Sequence, residues 1–116
     1  GINYDPEQPG FHNIILRPRP VGDLTFVNAS HRSLYGRIDS HWKIEDGNFL
    51  WSISIPPNTT GTVFVPARDR LSVTESQGPA ERGKGVTFLR FEDGNAIYEI
   101  GSGNYSFYSS HFAGPR

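Results

Sequence analysis

Apolar and polar residues alternate with period two through most of this chain, and glycine or proline interrupts the alternation at short intervals. In GRIDSHWKIE (36–45), Ile38, Trp42 and Ile44 fall on one face and Arg37, Asp39, His41, Lys43 and Glu45 on the other, the signature of a half-buried strand. After Asp46-Gly47-Asn48, the run FLWSISI (49–55) sets Phe49, Trp51, Ile53 and Ile55 against Leu50, Ser52 and Ser54, so the two runs predict a hairpin. Pro56-Pro57-Asn58 ends the second strand, because proline lacks the N–H that a ladder needs, and TTGTVFVP opens a third that closes at Pro66. Downstream, VTFLRFE and NAIYEIG meet at Asp93-Gly94-Asn95, a turn suited to positive φ, and GNYSFY supplies a last strand after Gly101-Ser102-Gly103. Upstream, HNIILRP and LTFVNASHR read as two more strands.

With about eight strands and no amphipathic helix, the pattern predicts an all-β fold, an antiparallel two-sheet β-sandwich of Greek-key or jelly-roll type spanning residues 11–108. Residues 1–10 carry two prolines and little periodicity, and read as a linker or docking strap; residues 109–116 read as a tail. The polar, breaker-rich stretch ESQGPAERGK (75–84) reads as one exposed loop.

Composition narrows the function classes. A chain of 116 residues is one domain, which at that size buries roughly two-thirds of its unfolded surface. Its apolar fraction is only 35%, so the 8 Phe, 5 Tyr and 2 Trp must supply much of the core. A formal charge of -1, with both signs spread along the chain, offers no footprint for nucleic acid or an anionic membrane. With no cysteine, disulfides, thiolate metal sites and a cysteine nucleophile are excluded. No apolar run approaches the ~20 residues of a membrane-spanning helix. A start at Gly1 with no charged and apolar leader lacks the form of a signal peptide and suggests a segment of a longer chain.

Candidate catalytic groups are weak. Catalysis by a carboxyl pair requires both groups within reach of one substrate, whereas Asp39 and Glu45, six residues apart on one strand face, would stand about 20 Å apart. Asp93 and Glu99 flank a turn and share that weakness. Asp39 and His41 occupy one face two positions apart, yet no activated serine accompanies them, and a surface hydrogen bond is the expected use. The histidines at 12, 31, 41 and 111 show no metal-ligand spacing, so no metal and no cofactor is expected. Period alone sends Trp42 and Trp51 inward. Tyr35, Tyr105 and Tyr108 are therefore the candidates for exposed sugar contacts. Three N-x-S/T sequons, at Asn28, Asn58 and Asn104, would be glycan acceptors only in a eukaryotic secretory setting, and Asn58 with its threonines after Pro57 also reads as turn chemistry.

A family resemblance sharpens this picture. The ordered blocks GFHNIILRPRPVGDLTFVNAS, LYGRIDSHWKIEDGNFLWSISIPPNTTGTVFVPA, SVTES and GSGNYSF, spanning residues 10–107, resemble the C-terminal domain of bacterial α-L-rhamnosidases of glycoside hydrolase family 78. IPPNTTGTVFVPA (55–67) is the most telling block. The resemblance implies a modular parent enzyme in which an (α/α)6 barrel hydrolyses terminal α-L-rhamnosides with inversion, using two carboxylates of the barrel. This chain would then be a non-catalytic accessory domain that packs against the barrel and stabilises it, with Ile2, Tyr4 and Phe11 in the contact. No catalytic residue carries over, because none of the barrel's acidic motifs occurs here. The alternative is a carbohydrate-binding module with its own affinity for rhamnose-containing glycans. The resemblance points to bacteria and leaves cytoplasmic, periplasmic and secreted locations equally open.

Overall fold

The computed structural model describes residues 2–4, 12–18, 26–33, 36–69, 72–75, 78–79 and 85–110. Eleven strands occur among them: β1 (Ile2–Tyr4), β2 (His12–Leu16), β3 (Phe26–Ser33), β4 (Gly36–Glu45), β5 (Asn48–Ile55), β6 (Thr59–Pro66), β7 (Val73–Glu75), β8 (Gly78–Pro79), β9 (Val86–Glu92), β10 (Asn95–Ile100) and β11 (Gly103–Ser109). They form a five-stranded sheet in the order β1-β2-β6-β10-β9 and a six-stranded sheet in the order β3-β4-β5-β11-β7-β8. All pairings are antiparallel except β2 with β6, which is parallel. The chain changes sheet between β2 and β3, β5 and β6, β6 and β7, β8 and β9, and β10 and β11.

The eight strands expected from alternation are all present, and β1, β7 and β8 are additional. β1 lies within the expected strap and pairs with β2, so that residues 2–4 belong to a sheet rather than to a free linker. β8 lies within the expected loop, and Glu75 at its start is the buried end of β7. Both strands are too short for periodicity to register; only their neighbours' ladders define them. β11 also runs one residue into the expected tail, to Ser109.

Two tight turns set the register. Glu45 pairs with Asn48 and Glu92 with Asn95, leaving two-residue loops. Asp46 (φ 53) and Gly47 (φ 80), like Asp93 (φ 51) and Gly94 (φ 77), place both central residues at positive φ, as the favoured hairpin turn demands. Asn58 (φ 58) turns the chain from β5 into β6, where the Thr59 hydroxyl donates to the Pro57 carbonyl at 3.2 Å.

The core lies between the sheets and is aromatic along its length. Trp42, Phe49, Trp51 and Phe107 from the six-stranded sheet form a chain of ring contacts with centroids 5.6, 5.8 and 6.3 Å apart. Phe107 then stacks on Tyr98 of the opposite sheet at 5.5 Å and 21°, and Tyr98 meets Phe88 edge-on at 5.5 Å. Ile14, Leu16, Val63, Val65 and Ile100 fill the five-stranded side, each fully or almost fully buried. Such burial contributes about 1.5–3 kcal/mol per large side chain, and each well-placed ring pair adds about 0.5–1.5 kcal/mol.

One polar pair penetrates this core: Trp51 Nε1 donates to the buried Ser40 hydroxyl at 2.8 Å. Trp51→Phe leaves that hydroxyl without its donor and is expected to cost about 1–3 kcal/mol. Adding Ser40→Ala should recover part of the loss. Urea unfolding of the four members of this double-mutant cycle measures it, and strict additivity would show that the hydrogen bond contributes nothing.

Candidate functional site

Side chains directly opposite each other in paired strands share a face, so the registers of β3, β4, β5 and β11 determine what the outer surface of the six-stranded sheet presents. Phe26 pairs with Lys43, Lys43 with Leu50, Leu50 with Tyr108 and Tyr108 with Thr74. One row with two aromatic rings therefore crosses the sheet. Beside it runs a second row of short polar groups, in which Asn28 pairs with His41, His41 with Ser52 and Ser52 with Ser106. Two adjoining concavities of about 590 and 410 Å³ overlie these rows and share Leu50 and Ser52, forming one shallow trough across the strands. Phe26, 61% exposed, lines one end and Tyr108, 37% exposed, the other. At about 4.8 Å per strand step, the two rings stand about 14 Å apart.

The charges nearby are already engaged. The Asp39 carboxylate accepts from the Ser30 hydroxyl at 2.7 Å and from Arg37 Nε at 2.8 Å, while Arg37 Nη2 donates to Ser30 Oγ at 3.0 Å. Lys43 pairs with Glu45 at 3.2 Å. His41 Nδ1 and Asn28 Oδ1 lie 3.0 Å apart, which fixes the imidazole beside the trough. Asp39 and His41 thus serve as surface hydrogen-bonding groups with separate partners. Glu75 acts structurally: its Oε2 accepts the Ser106 backbone N–H at 3.1 Å, one residue beyond the last β7–β11 pair. Among the described residues, no three His, Cys, Asp or Glu side chains gather to hold a metal ion.

Of the two described tyrosines expected to contact sugar, Tyr108 faces outward and Tyr105 does not. Tyr105 is a correction: it is 6% exposed, because its pairing with Ile53 sets it on the core side of β11. Its ring stacks on Phe107 at 6.4 Å, and its hydroxyl donates to the Gly101 carbonyl at 3.0 Å. Burial, with the Glu75 charge second, pushes the Tyr105 hydroxyl above its ordinary pKa. Tyr35 and Phe11 lie outside the described residues, and Ile2 and Tyr4 sit on the edge strand β1. The sequence reading missed Phe26, Leu50, Thr74 and Ser106. Alternation had already turned Leu50 and Ser52 away from the core; what was lacking was the register that lays Tyr108 and Ser106 beside them.

Residues 1–80 match the model of the bacterial alpha-L-rhamnosidase C-terminal domain. The chain belongs to that family. It is 37% identical over 102 residues to an alpha-L-rhamnosidase of Streptomyces avermitilis, a match that covers 88% of this chain and 9% of the relative. An alpha-L-rhamnosidase of Formosa agariphila is 26% identical over 106 residues, covering 91% of this chain and 11% of the relative. The fold agrees. The crystal structure of the Streptomyces avermitilis alpha-L-rhamnosidase complexed with L-rhamnose superposes with a TM-score of 0.75 at 35% identity, over 88% of this chain and 9% of that one. The alpha-L-rhamnosidase from Dictyoglumus thermophilum gives 0.75 at 30% identity, over 92% and 12%. This rhamnosidase C-terminal domain thus spans about a tenth of the length of the curated relatives it matches.

The hydrogen bond from Ser30, followed by the bond and charge of Arg37, holds the Asp39 carboxyl below its ordinary pKa of 3.8. A carboxylate with a depressed folded-state pKa contributes stability that is fully present above its unfolded pKa and is lost as pH falls through the folded one. Asp39→Asn is therefore expected to flatten the stability profile below about pH 4 and to leave the neutral-to-alkaline slope unchanged. Urea midpoints measured from pH 2 to 7 in both proteins check this; parallel acid limbs would refute it.

Proposed function

We propose that this chain is the non-catalytic C-terminal accessory domain of an inverting α-L-rhamnosidase, packed against the catalytic (α/α)6 barrel of the same parent chain and stabilising it. The supporting observation is a self-contained sandwich core in a chain about a tenth as long as its alpha-L-rhamnosidase relatives, in which five of the described acids hold structural partners. Asp39, Glu45, Asp69, Glu75 and Glu92 each engage a neighbour on their own or an adjacent strand or turn. None of these contacts sets two carboxyl groups across a sugar-sized cleft. The contact with the barrel is assigned to the β1 edge, through Ile2, Tyr4 and the following Phe11.

Two measurements test this. The 116-residue chain is expected to release no chromophore from an aryl α-L-rhamnoside, and release above background would remove the non-catalytic reading. In the parent enzyme, Ile2→Asp with Tyr4→Asp should lower the melting midpoint by several degrees more than the same pair lowers it in the isolated chain. Equal shifts would place the contact elsewhere.

A further inference from the structure

We propose that the trough on the outer face of the six-stranded sheet is a saccharide-binding site that takes a short, neutral α-L-rhamnosyl oligosaccharide laid across β3, β4, β5 and β11. Outward aromatic rings occur on both sheets, but a concavity overlies them only on the six-stranded one among the cavities described. On the five-stranded sheet, Phe64 lies beneath the Arg17 guanidinium at 4.8 Å, and Phe91, 39% exposed, stands on the edge strand β9. On the six-stranded sheet, Phe26 and Tyr108 remain open at the two ends of a trough whose centre is the half-buried Leu50.

The polar groups along the trough are short and mostly uncommitted. The hydroxyls of Ser52, Thr74, Ser106 and Tyr108 make no side-chain hydrogen bond with the described residues. They offer donors and acceptors at about the strand spacing of 4.8 Å. His41 spends Nδ1 on Asn28 and makes no hydrogen bond through Nε2 with the described residues. Lys43 and Arg37 are neutralised by Glu45 and Asp39, so the trough carries no spare charge for an anionic ligand. A protein partner fits less well, because serine is depleted from the cores of protein interfaces.

A 6-deoxy sugar matches what remains. Its methyl group and ring C–H faces suit Leu50 and the two aromatic rings, and its hydroxyls suit the serine, threonine and histidine row. Two rings about 14 Å apart ask for more than one sugar unit. The trough itself stands on geometry; the choice of a rhamnosyl unit rests on the function proposed above.

The test is a titration of the isotope-labelled 116-residue chain with a rhamnosyl trisaccharide and, separately, with maltotriose, followed by amide shifts. Expected are saturable millimolar shifts at Leu50, Ser52, Ser106 and Tyr108 with the rhamnosyl ligand. Tyr108→Ala and Phe26→Ala should each weaken binding about fivefold, while Phe91→Ala on β9 leaves it unchanged. No saturable shift at tens of millimolar, or shifts confined to β9, overturns the site. Equal or stronger binding of maltotriose overturns the rhamnosyl assignment. If Leu50→Ser and Tyr108→Ala lower the melting midpoint of the parent enzyme but not that of the isolated chain, the face is a docking surface instead and the proposal fails. The chromophore and melting measurements above are independent of each of these outcomes.

Discussion

The stack of Phe107 on Tyr98 is the contact on which the sandwich depends. This ring pair joins the two sheets and connects the Trp42–Phe49–Trp51 chain of one sheet to Phe88 of the other. In a chain without disulfides and with only 35% apolar residues, a few large rings must do what many aliphatic residues would do elsewhere. β10 and β11, which carry this pair, are also central: β10 lies between β6 and β9, and β11 between β5 and β7. Loss of the stack would loosen four ladders at once, in a fold whose total stability is only about 5–15 kcal/mol.

The outer surface inherits its geometry from that core. Because successive side chains on a strand point to opposite faces, holding Tyr105 and Phe107 inward obliges Ser106 and Tyr108 to face out. Trp51 and Ile53 likewise force Leu50, Ser52 and Ser54 onto the other face. The β5–β11 register then brings Leu50 beside Tyr108 and Ser52 beside Ser106. The trough is therefore preorganised by packing on the far side of the sheet, and no loop is needed to shape its central part. Glu75 completes that support by taking the Ser106 N–H where β7 ends.

Local chemistry made part of this legible in the sequence. Both hairpin turns follow from Asp-Gly pairs that accept positive φ, and the inward placement of Trp42, Phe49, Trp51 and Ile53 follows from strict alternation. Pairings remote in sequence were not legible. Nothing local specifies that β2 runs parallel to β6, or that β11 inserts between β5 and β7. The three-residue and two-residue strands β7 and β8 exist only because of such neighbours. Ile97 marks another limit. It is fully buried between Ala96 and Tyr98, where alternation alone would expose it, and the register irregularity in the β9–β10 ladder falls at that position. For Tyr105 the signal was available: parity with Phe107 separates it from Tyr108, so the two tyrosines cannot share an exposed face.

How polar groups are spent divides the functional possibilities. The acids that carry partners hold strands and turns in place, Asp39 tying β3 to β4 and Glu75 extending the β7–β11 edge. General acid or base catalysis needs a carboxyl group free to exchange its proton with substrate, and a group whose ionised form is held by hydrogen bonds to Ser30 and Arg37 is poorly suited to that exchange. The uncommitted polar groups are hydroxyls, which bind and orient without transferring protons at neutral pH. A surface whose charges are consumed by structure and whose hydroxyls stand open beside exposed rings is built for recognition.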